Sequence, residues 1–373
     1  MSKVKLGDVA TERKETCKAG KEEYPIVGLE HLIPEEVTLS SWDENKENTF
    51  TKVFREGDVL FGRRRAYLKK AAVAPFDGIC SGDITVIKAD DEKIYPRLLP
   101  FIIQNDALFD FAVENSAGSL SPRVKWEHLK NFEFELPEMD QQKKLAEVLW
   151  AIDDTKKAYQ NLIQKTDELV KSQFIEMFGN YRSWDNTIKL GSLCTSISDG
   201  SHNPPKGVDY SENLMISSKN ISDGLITFDD PRYLSDEEFE AENKRTNVKP
   251  GDVLLTIVGA IGRVAVVPDN IGKIALQRSV AVMHLNPKII NSIFLMHMLR
   301  GLFPVIDAEA HGIAQRGIYL AQVKDLDVIC PEIDEQKKFV TLAVQSDKSK
   351  FELEQALAEL TATYKRIISE NLG

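Results

Sequence analysis

A chain of 373 residues, 42% hydrophobic and 28% charged, is too long for one ordinary domain and has the balance of a globular protein with a sizeable core. No apolar run reaches the roughly 18 to 20 residues of a membrane span, and the opening MSKVKLGDVA lacks the apolar centre of a signal peptide, so a cytoplasmic address is expected. A net charge of −11 argues against nucleic acid as a partner of the whole surface, although affinity for phosphate follows local charge and not the sum.

In chain order, the first distinctive stretch is KVFREGDVLFGRRRAYLKK, from Lys52 to Lys70. It is a basic island in an acidic chain, with only Glu56 and Asp58 against its Lys and Arg residues. Within it GDVLF reads as a turn followed by a strand, and DITVIKA further on as another strand. PRLLPFIIQNDALFDFAV has helical periodicity, and LKNFEFELPE reads as a closing strand ended by Pro137. A long helix follows, with Asp140 as the expected N-cap and a heptad-like seam of Leu145, Leu149, Ile152, Tyr159, Ile163, Val170 and Met177. The same order then returns. GDVLLTIVG and SVAVMHL read as strands, SIFLMHMLRGLF as helix, and VKDLDVICPE as a closing strand ended by Pro331. The last segment is a second long helix, with Asp334 as the expected N-cap and Phe339, Leu342, Leu353, Leu357, Leu360, Tyr364 and Ile367 as its seam.

The return is a duplication. LPEMDQQKK at Leu136 and CPEIDEQKK at Cys330 stand 194 residues apart, as do Gly57 and Gly251 in the GDVL stretches. KLGD at Lys5 and KLGS at Lys189 are offset by 184, so the second copy carries ten extra residues, expected around DGSHNPPKGVDYSENL. A period this long exceeds the roughly 20 to 50 residues of a solenoid repeat and indicates a repeated module. Lys156 and Lys350 occupy equivalent inner helix positions, as do Ile152 and Ser346. Seams this long want a helical partner, and the two helices of one chain are nearest to hand. A repeated module closing on itself gives a pseudo-two-fold, antiparallel pair, and a helix from residue 140 to 178 is about 60 Å long.

The duplicated GDVL, the duplicated PE-x-D-x-Q-K-K opening of a long helix, SDGSHNPPKG from Ser198 and AYLKKAAVAPFDGICSGDI from Ala66 together resemble the specificity (S) subunit of type I restriction–modification systems over essentially the whole length. The resemblance implies an α+β chain: two mixed α/β target-recognition domains in tandem, separated by two long helices forming an antiparallel coiled coil. The expected boundaries are 1–138 and 180–331 for the recognition domains, with 139–179 and 332–373 as spacer helices. It implies a non-enzymatic, sequence-specific DNA-recognition subunit that reads a bipartite asymmetric site in double-stranded DNA. Two modification (methyltransferase) subunits are the implied partners, with restriction subunits able to join. S-adenosylmethionine would then be held by the methyltransferases and no cofactor by this chain.

Arginine grips guanine bidentately and lysine mostly holds phosphate, so Arg63, Arg64, Arg65, Lys69 and Lys70 are the leading DNA-binding candidates, with Tyr67 beside them. Ser119, Ser121 and Arg123 are added from SLSPR. In the second copy the candidates are Ser201, His202 and Lys206 on a Pro/Gly loop, and Lys219, Asn220, Arg263, Gln277, Arg278, Gln315 and Arg316 near strand ends. The bland reading of each is a solvated strand end or, for His202, a turn cap. No catalytic or metal-binding residue is expected. The four cysteines, Cys17, Cys80, Cys194 and Cys330, form no C-x-x-C and read as buried thiols, and the six histidines form no H-E-x-x-H. NPPK at Asn203 has Lys206 where an adenine methyltransferase needs a stacking aromatic, and no Walker A loop is present. The alternative is a coiled-coil interaction scaffold with two protein-binding domains, which leaves the arginine run unexplained.

Overall fold

A computed structural model describes residues 2–17, 23–222, 224–312 and 316–372. The chain divides into two compact units, Met1–Asn161 with Leu353–Gly373, and Leu162–Glu352. Each 40-residue helix, Met139–Phe178 and Ile333–Leu372, gives one part to each unit.

In the first unit a four-stranded antiparallel sheet runs in the order Ala10–Glu12, Ile84–Ala89, Val59–Gly62, Ala71–Val73. Val59 and Phe61 point to one face and Leu60 to the other, as the two-residue strand period dictates. Both faces are covered, which is why GDVLF reads as a continuous apolar run. On one face Phe61 stacks on Phe109 of the helix Asp106–Glu114, ring centroids 5.5 Å apart. On the other lies a three-stranded sheet of Ile26–Val27, Gly78–Cys80 and Lys52–Phe54, its first pair parallel. Ser2–Lys5 pairs with the closing strand Glu133–Leu136. Burying one whole Phe side chain contributes about 1.5–3 kcal/mol, and Phe54, Phe61, Phe101, Phe109 and Phe134 are all buried here.

The second unit repeats this plan. Its four-stranded sheet is ordered Cys194–Asp199, Val280–Leu285, Val253–Thr256, Val264–Val266, with Val253 and Leu255 facing one cluster and Leu254 the other. Its three-stranded sheet differs, because the third strand, Arg232–Leu234, joins the opposite edge. The ten extra residues are also divided. Met215 stands where Ile26 does, an offset of 189, so half of the addition precedes that strand and half follows it. The later half lies in the stretch holding the helix Asp236–Thr246, started by a Ser235–Glu238 capping box.

The twice-written motifs have structural causes. In both GDVL stretches the glycine is left-handed, Gly57 at φ 84° and Gly251 at φ 85°. The aspartate closes the turn before it: Asp58 accepts from the Arg55 N–H at 2.8 Å, and Asp252 from the Lys249 N–H at 2.7 Å. In both PE-x-D-x-Q stretches the glutamine is buried. Gln142 donates to the Pro137 carbonyl and accepts from the Tyr95 N–H. Gln336 donates to Pro331 and Ile289 and accepts from the Asn291 N–H.

The long helices pack on one another within each unit. In the second unit Asp167 bonds Lys350 at 2.9 Å while Phe174 meets Phe339 at 5.2 Å, so rising numbers on one helix meet falling numbers on the other. In the first unit Ala146 and Leu149 share a cluster with Tyr364, Ile368 and Leu372, and the Lys156 ammonium lies 4.9 Å over the Tyr364 ring. Three expectations are corrected. Asp140 and Asp334 lie inside the first turn and not at the cap, because the helices begin at Met139 and Ile333. Met177 is exposed, and the seam ends through Val170, Phe174 and Phe178. Among the cysteines only Cys80 is fully buried, its thiol pushed up to about 12 by desolvation.

Candidate nucleic-acid interface

Three segments meet at one end of the four-stranded sheet in the first unit. They are the residues after strand Val59–Gly62, the Ser81–Asp83 loop, and the turn from Ala117 to Arg123. The Arg63 N–H donates to the Asp83 carbonyl at 3.0 Å, Val124 to Arg63 at 3.0 Å, and Arg65 to Pro122 at 2.8 Å. The second unit builds the same frame from other residues. Ile257 donates to Ser279 at 2.9 Å, Ile318 to Ile257 at 2.9 Å, and Gly259 to Arg316 at 3.3 Å. The paired Ala117 and Arg123 become His311 and Gly317.

On the first frame the sequence candidates converge. Arg123 donates to both Asp83 oxygens, at 2.7 and 3.2 Å, and holds that carboxyl below the ordinary carboxylate range. Arg64 donates to the Ser121 hydroxyl at 3.0 Å and lies 3.5 Å from Asp83. Arg63 is half-buried with an Nε that has no partner among the described residues. Arg65 is exposed, its side chain without hydrogen bond or ion pair among the described residues, and adopts φ 55°, ψ 58°. The equivalent Gly259 adopts φ 81°. A left-handed arginine is strained where a glycine is not, and the sister copy has the glycine. Tyr67 and Ser119 are exposed, and Leu120 at the tip of the turn is 90% exposed. Lys69 and Lys70 are drawn away, to the Asp106 carboxylate at 2.5 Å and the Leu29 carbonyl at 2.8 Å.

On the second frame Gln277 and Arg278 occupy the places of Ser81 and Gly82, beside Ser201. A Cβ on Gly200 would lie 2.0 Å from the Leu276 carbonyl, so the DGSH stretch needs glycine there. His202 bonds the Asp199 carboxylate at 2.8 Å, and Lys206 is exposed. Gln277 and Lys219 line one recess of about 350 Å³, with Lys219 paired to Asp230 at 2.7 Å. Asn220, a DNA-binding candidate on sequence grounds, is turned inward. That side chain is 1% exposed and spent on Ser217 and Asp229. Arg263 lies apart from the frame, in the groove beside the long helices, and bonds the Ile221 carbonyl. Arg316 is fixed to Asp307 at 3.0 Å, and Gln315 lies outside the described residues. Sequence reasoning missed Asp83, the acid around which the arginines gather; its only signal was the SGD turn before a strand.

Glu30, His31 and Asp43 come close enough to suggest a cation. His31 Nδ1 accepts the Gly28 N–H at 2.9 Å and Asp43 is held by Lys46 at 2.6 Å, so both donors are in use. No helix among the described residues is long and apolar enough to cross a membrane.

Residues 1–166 match the family described as type I restriction modification DNA specificity domain. The chain is 29% identical over 173 residues to the EcoBI type I restriction enzyme specificity subunit of Escherichia coli, covering 44% of this chain and 36% of that protein. It is 26% identical over 129 residues to the EcoDI specificity subunit of the same organism, covering 34% and 28%. The matches thus span about a third of the length of these relatives. In structure it is similar to the S subunit of M. genitalium, with a TM-score of 0.61 at 12% identity over 100% of this chain and 96% of that one. It is also similar to a chain solved in work on assembly and conformational transition of a type I R-M system, with a TM-score of 0.59 at 20% identity over 99% and 97%. The family match covers residues 1–166, less than half of the chain, and the likeness to the two solved structures, which runs over nearly the whole chain, is one of fold.

Proposed function

We propose that this chain is the DNA-recognition subunit of a type I restriction–modification complex. It reads a bipartite, asymmetric site through its two frames and directs two methyltransferase subunits, which hold S-adenosylmethionine, with restriction subunits able to join. It performs no chemistry itself and works in the cytoplasm. The recognition domains are 1–138 and 180–331, and the long helices at 139–179 and 332–373 are the spacers. One observation carries this reading: the same three-segment backbone frame is built twice and topped with different side chains. Arg63, Arg64, Arg65 and Arg123 stand on the first, where Ile257, Val258, Gly259 and Gly317 stand on the second. A frame kept while its polar edge changes suits two readers of different half-sites.

The DNA contacts are Arg63, Arg64, Arg65, Tyr67, Ser119, Ser121 and Arg123 in the first unit. In the second they are Ser201, His202, Lys206, Lys219, Gln277 and Arg278. The test is a gel-shift series on bipartite and scrambled duplexes, with and without the modification subunit. The complex should prefer the bipartite site, with affinity falling as salt rises. A complex without preference refutes the proposal. Charge reversal at Arg63, Arg64 and Arg65 separates it from the scaffold alternative, which would keep its activity.

A further inference from the structure

The two recognition frames share a position that a fixed sequence offset hides. Val59 and Val253 stand 194 residues apart, while the residues they pair with, Ile87 and Met283, stand 196 apart. Ser81 therefore answers Gln277, and Asp83 answers Ser279. The backbone bonds agree. Ile84 donates to Ser81 and Val280 to Gln277, both at 3.0 Å, while Asp83 and Ser279 accept the corresponding Arg63 and Ile257 N–H groups through their carbonyls. A carbonyl is offered by any residue, so the frame leaves the side chain at this position free to differ. In each copy that side chain holds a polar neighbour. The Asp83 carboxylate takes the Nε–Nη2 edge of Arg123, at 2.7 and 3.2 Å. The Nη1–Nη2 edge is left with a long 3.5 Å contact to the Ser121 carbonyl. Ser279 is 6% exposed, and its hydroxyl accepts the Ser218 N–H at 3.0 Å. Its own proton goes to Gln277 Oε1 at 2.8 Å, which leaves the two amide N–H groups and one oxygen lone pair for a ligand at the recess that Gln277 lines. An acceptor-only carboxylate suits a guanidinium, and a hydroxyl whose acceptor role is filled suits an amide oxygen.

We propose that Asp83 and Ser279 are the positioning residues of the two frames: Asp83 aims Arg123 at a guanine, and Ser279 aims the Gln277 amide at an adenine. This rests on the reading of the chain as a DNA-recognition subunit and adds the base that each half-site must present. The edge of Arg123 that Asp83 leaves open carries two N–H groups side by side, and guanine sets its O6 and N7 acceptors side by side in the major groove. Adenine offers one acceptor and one donor there, N7 and the N6 amino group. An amide held by one lone pair of its oxygen still has a donor for the first and a lone pair for the second. Exchanging carboxylate for hydroxyl at one frame position thus exchanges the kind of side chain it can hold, and with it the base that is read.

Methylome sequencing supplies the target site. Fluorescence anisotropy on the full chain with its modification subunits then measures binding to duplexes with each base pair placed in turn at every half-site position, beside a scrambled duplex. Replacing the G·C pair read by Arg123, or the A·T pair read by Gln277, should each weaken wild-type binding by roughly 5- to 150-fold. Asp83→Asn should flatten the preference at the G·C position alone. It should leave scrambled DNA bound as well or better, since a negative charge is lost while the arginines stay; an unfolded unit would lose both kinds of binding. Ser279→Ala should flatten the A·T position alone, and Ser279→Thr, which keeps the hydroxyl, should restore it. Gln277→Glu keeps the bond from Ser279 but has no N–H to give, so the preference there should move from adenine to cytosine, whose N4 amino group donates. Full discrimination in Asp83→Asn or in Ser279→Ala overturns the inference, as does a Ser279→Thr variant no better than Ser279→Ala. The DNA-recognition reading survives either result so long as the wild-type complex prefers its bipartite site. A wild-type complex without that preference overturns both.

Discussion

Replacing Arg65 by glycine separates what the fold needs at that position from what a ligand needs. The left-handed conformation costs a side chain about 1–2 kcal/mol, and glycine's larger loss of backbone freedom costs about 0.5–1 kcal/mol in return. The Arg65 side chain is exposed and makes no hydrogen bond or ion pair among the described residues, and Gly259 shows that the frame closes around glycine. Arg65→Gly is therefore expected to leave the first unit unchanged or up to about 1 kcal/mol more stable in urea unfolding. DNA binding should move the other way. If Arg65 holds phosphate, the slope of log affinity against log salt falls by about 0.9; if it grips guanine, affinity for that half-site drops by about 1–3 kcal/mol, roughly 5- to 150-fold. Fluorescence anisotropy on the complex with modification subunits, run between about 50 and 200 mM salt, reads both. Unchanged affinity with an unchanged slope refutes the reasoning, because the strain would then serve nothing.

Gln336→Ala removes one acceptor and two donated bonds from a fully buried site, and Gln142→Ala one of each, so the first should cost more, about 2–4 kcal/mol against 1–3. Equal denaturation midpoints for the two variants would contradict this. Burial depresses the His297 pKa to about 4, with Arg300 adding to the effect and Asp167 opposing it. The unfolded chain takes up that proton near pH 6.5, so the second unit should lose stability as pH falls from there through about 4, by up to about 3 kcal/mol. His297→Phe should remove that slope, and a slope that survives the substitution assigns it to other groups. Four residues inserted after Leu162 lengthen that helix by about 6 Å. Methylome sequencing should then find a longer non-specific spacer between unchanged half-sites; an unaltered spacer means that the helices do not set it.

The duplication, the strands and the long helices were legible because each is written in local pattern: alternating apolar residues under GDVL, heptad spacing after PE-x-D-x-Q. The position of the third strand of each small sheet was not, since Lys52–Phe54 and Arg232–Leu234 choose opposite edges through tertiary pairing alone. The arginine run was legible as charge but not as geometry. Nothing in RRR says that Lys69 and Lys70 turn to Asp106 and Leu29, or that Asp83 gathers Arg64 and Arg123. Asn220 misled for the same reason, because an amide that could read adenine can equally close its own turn.

Repetition within one chain supplies a comparison that a single domain lacks. Gly57 and Gly251, and Asp58 and Asp252, do the same backbone work in both copies, and Gln142 and Gln336 both tie the helix start to the preceding proline carbonyl, so their retention is explained by folding. Arg63, Arg64, Arg65 and Arg123 sit on positions where folding accepts Ile257, Val258, Gly259 and Gly317, so the fold does not require them. What the frame does not need, and at Arg65 holds under strain, is best explained by something outside the chain. Four guanidinium groups on one sheet end, with a single aspartate among them, call for a partner rich in fixed negative charge and planar acceptors. A DNA duplex offers both, one in its phosphates and the other in its base edges.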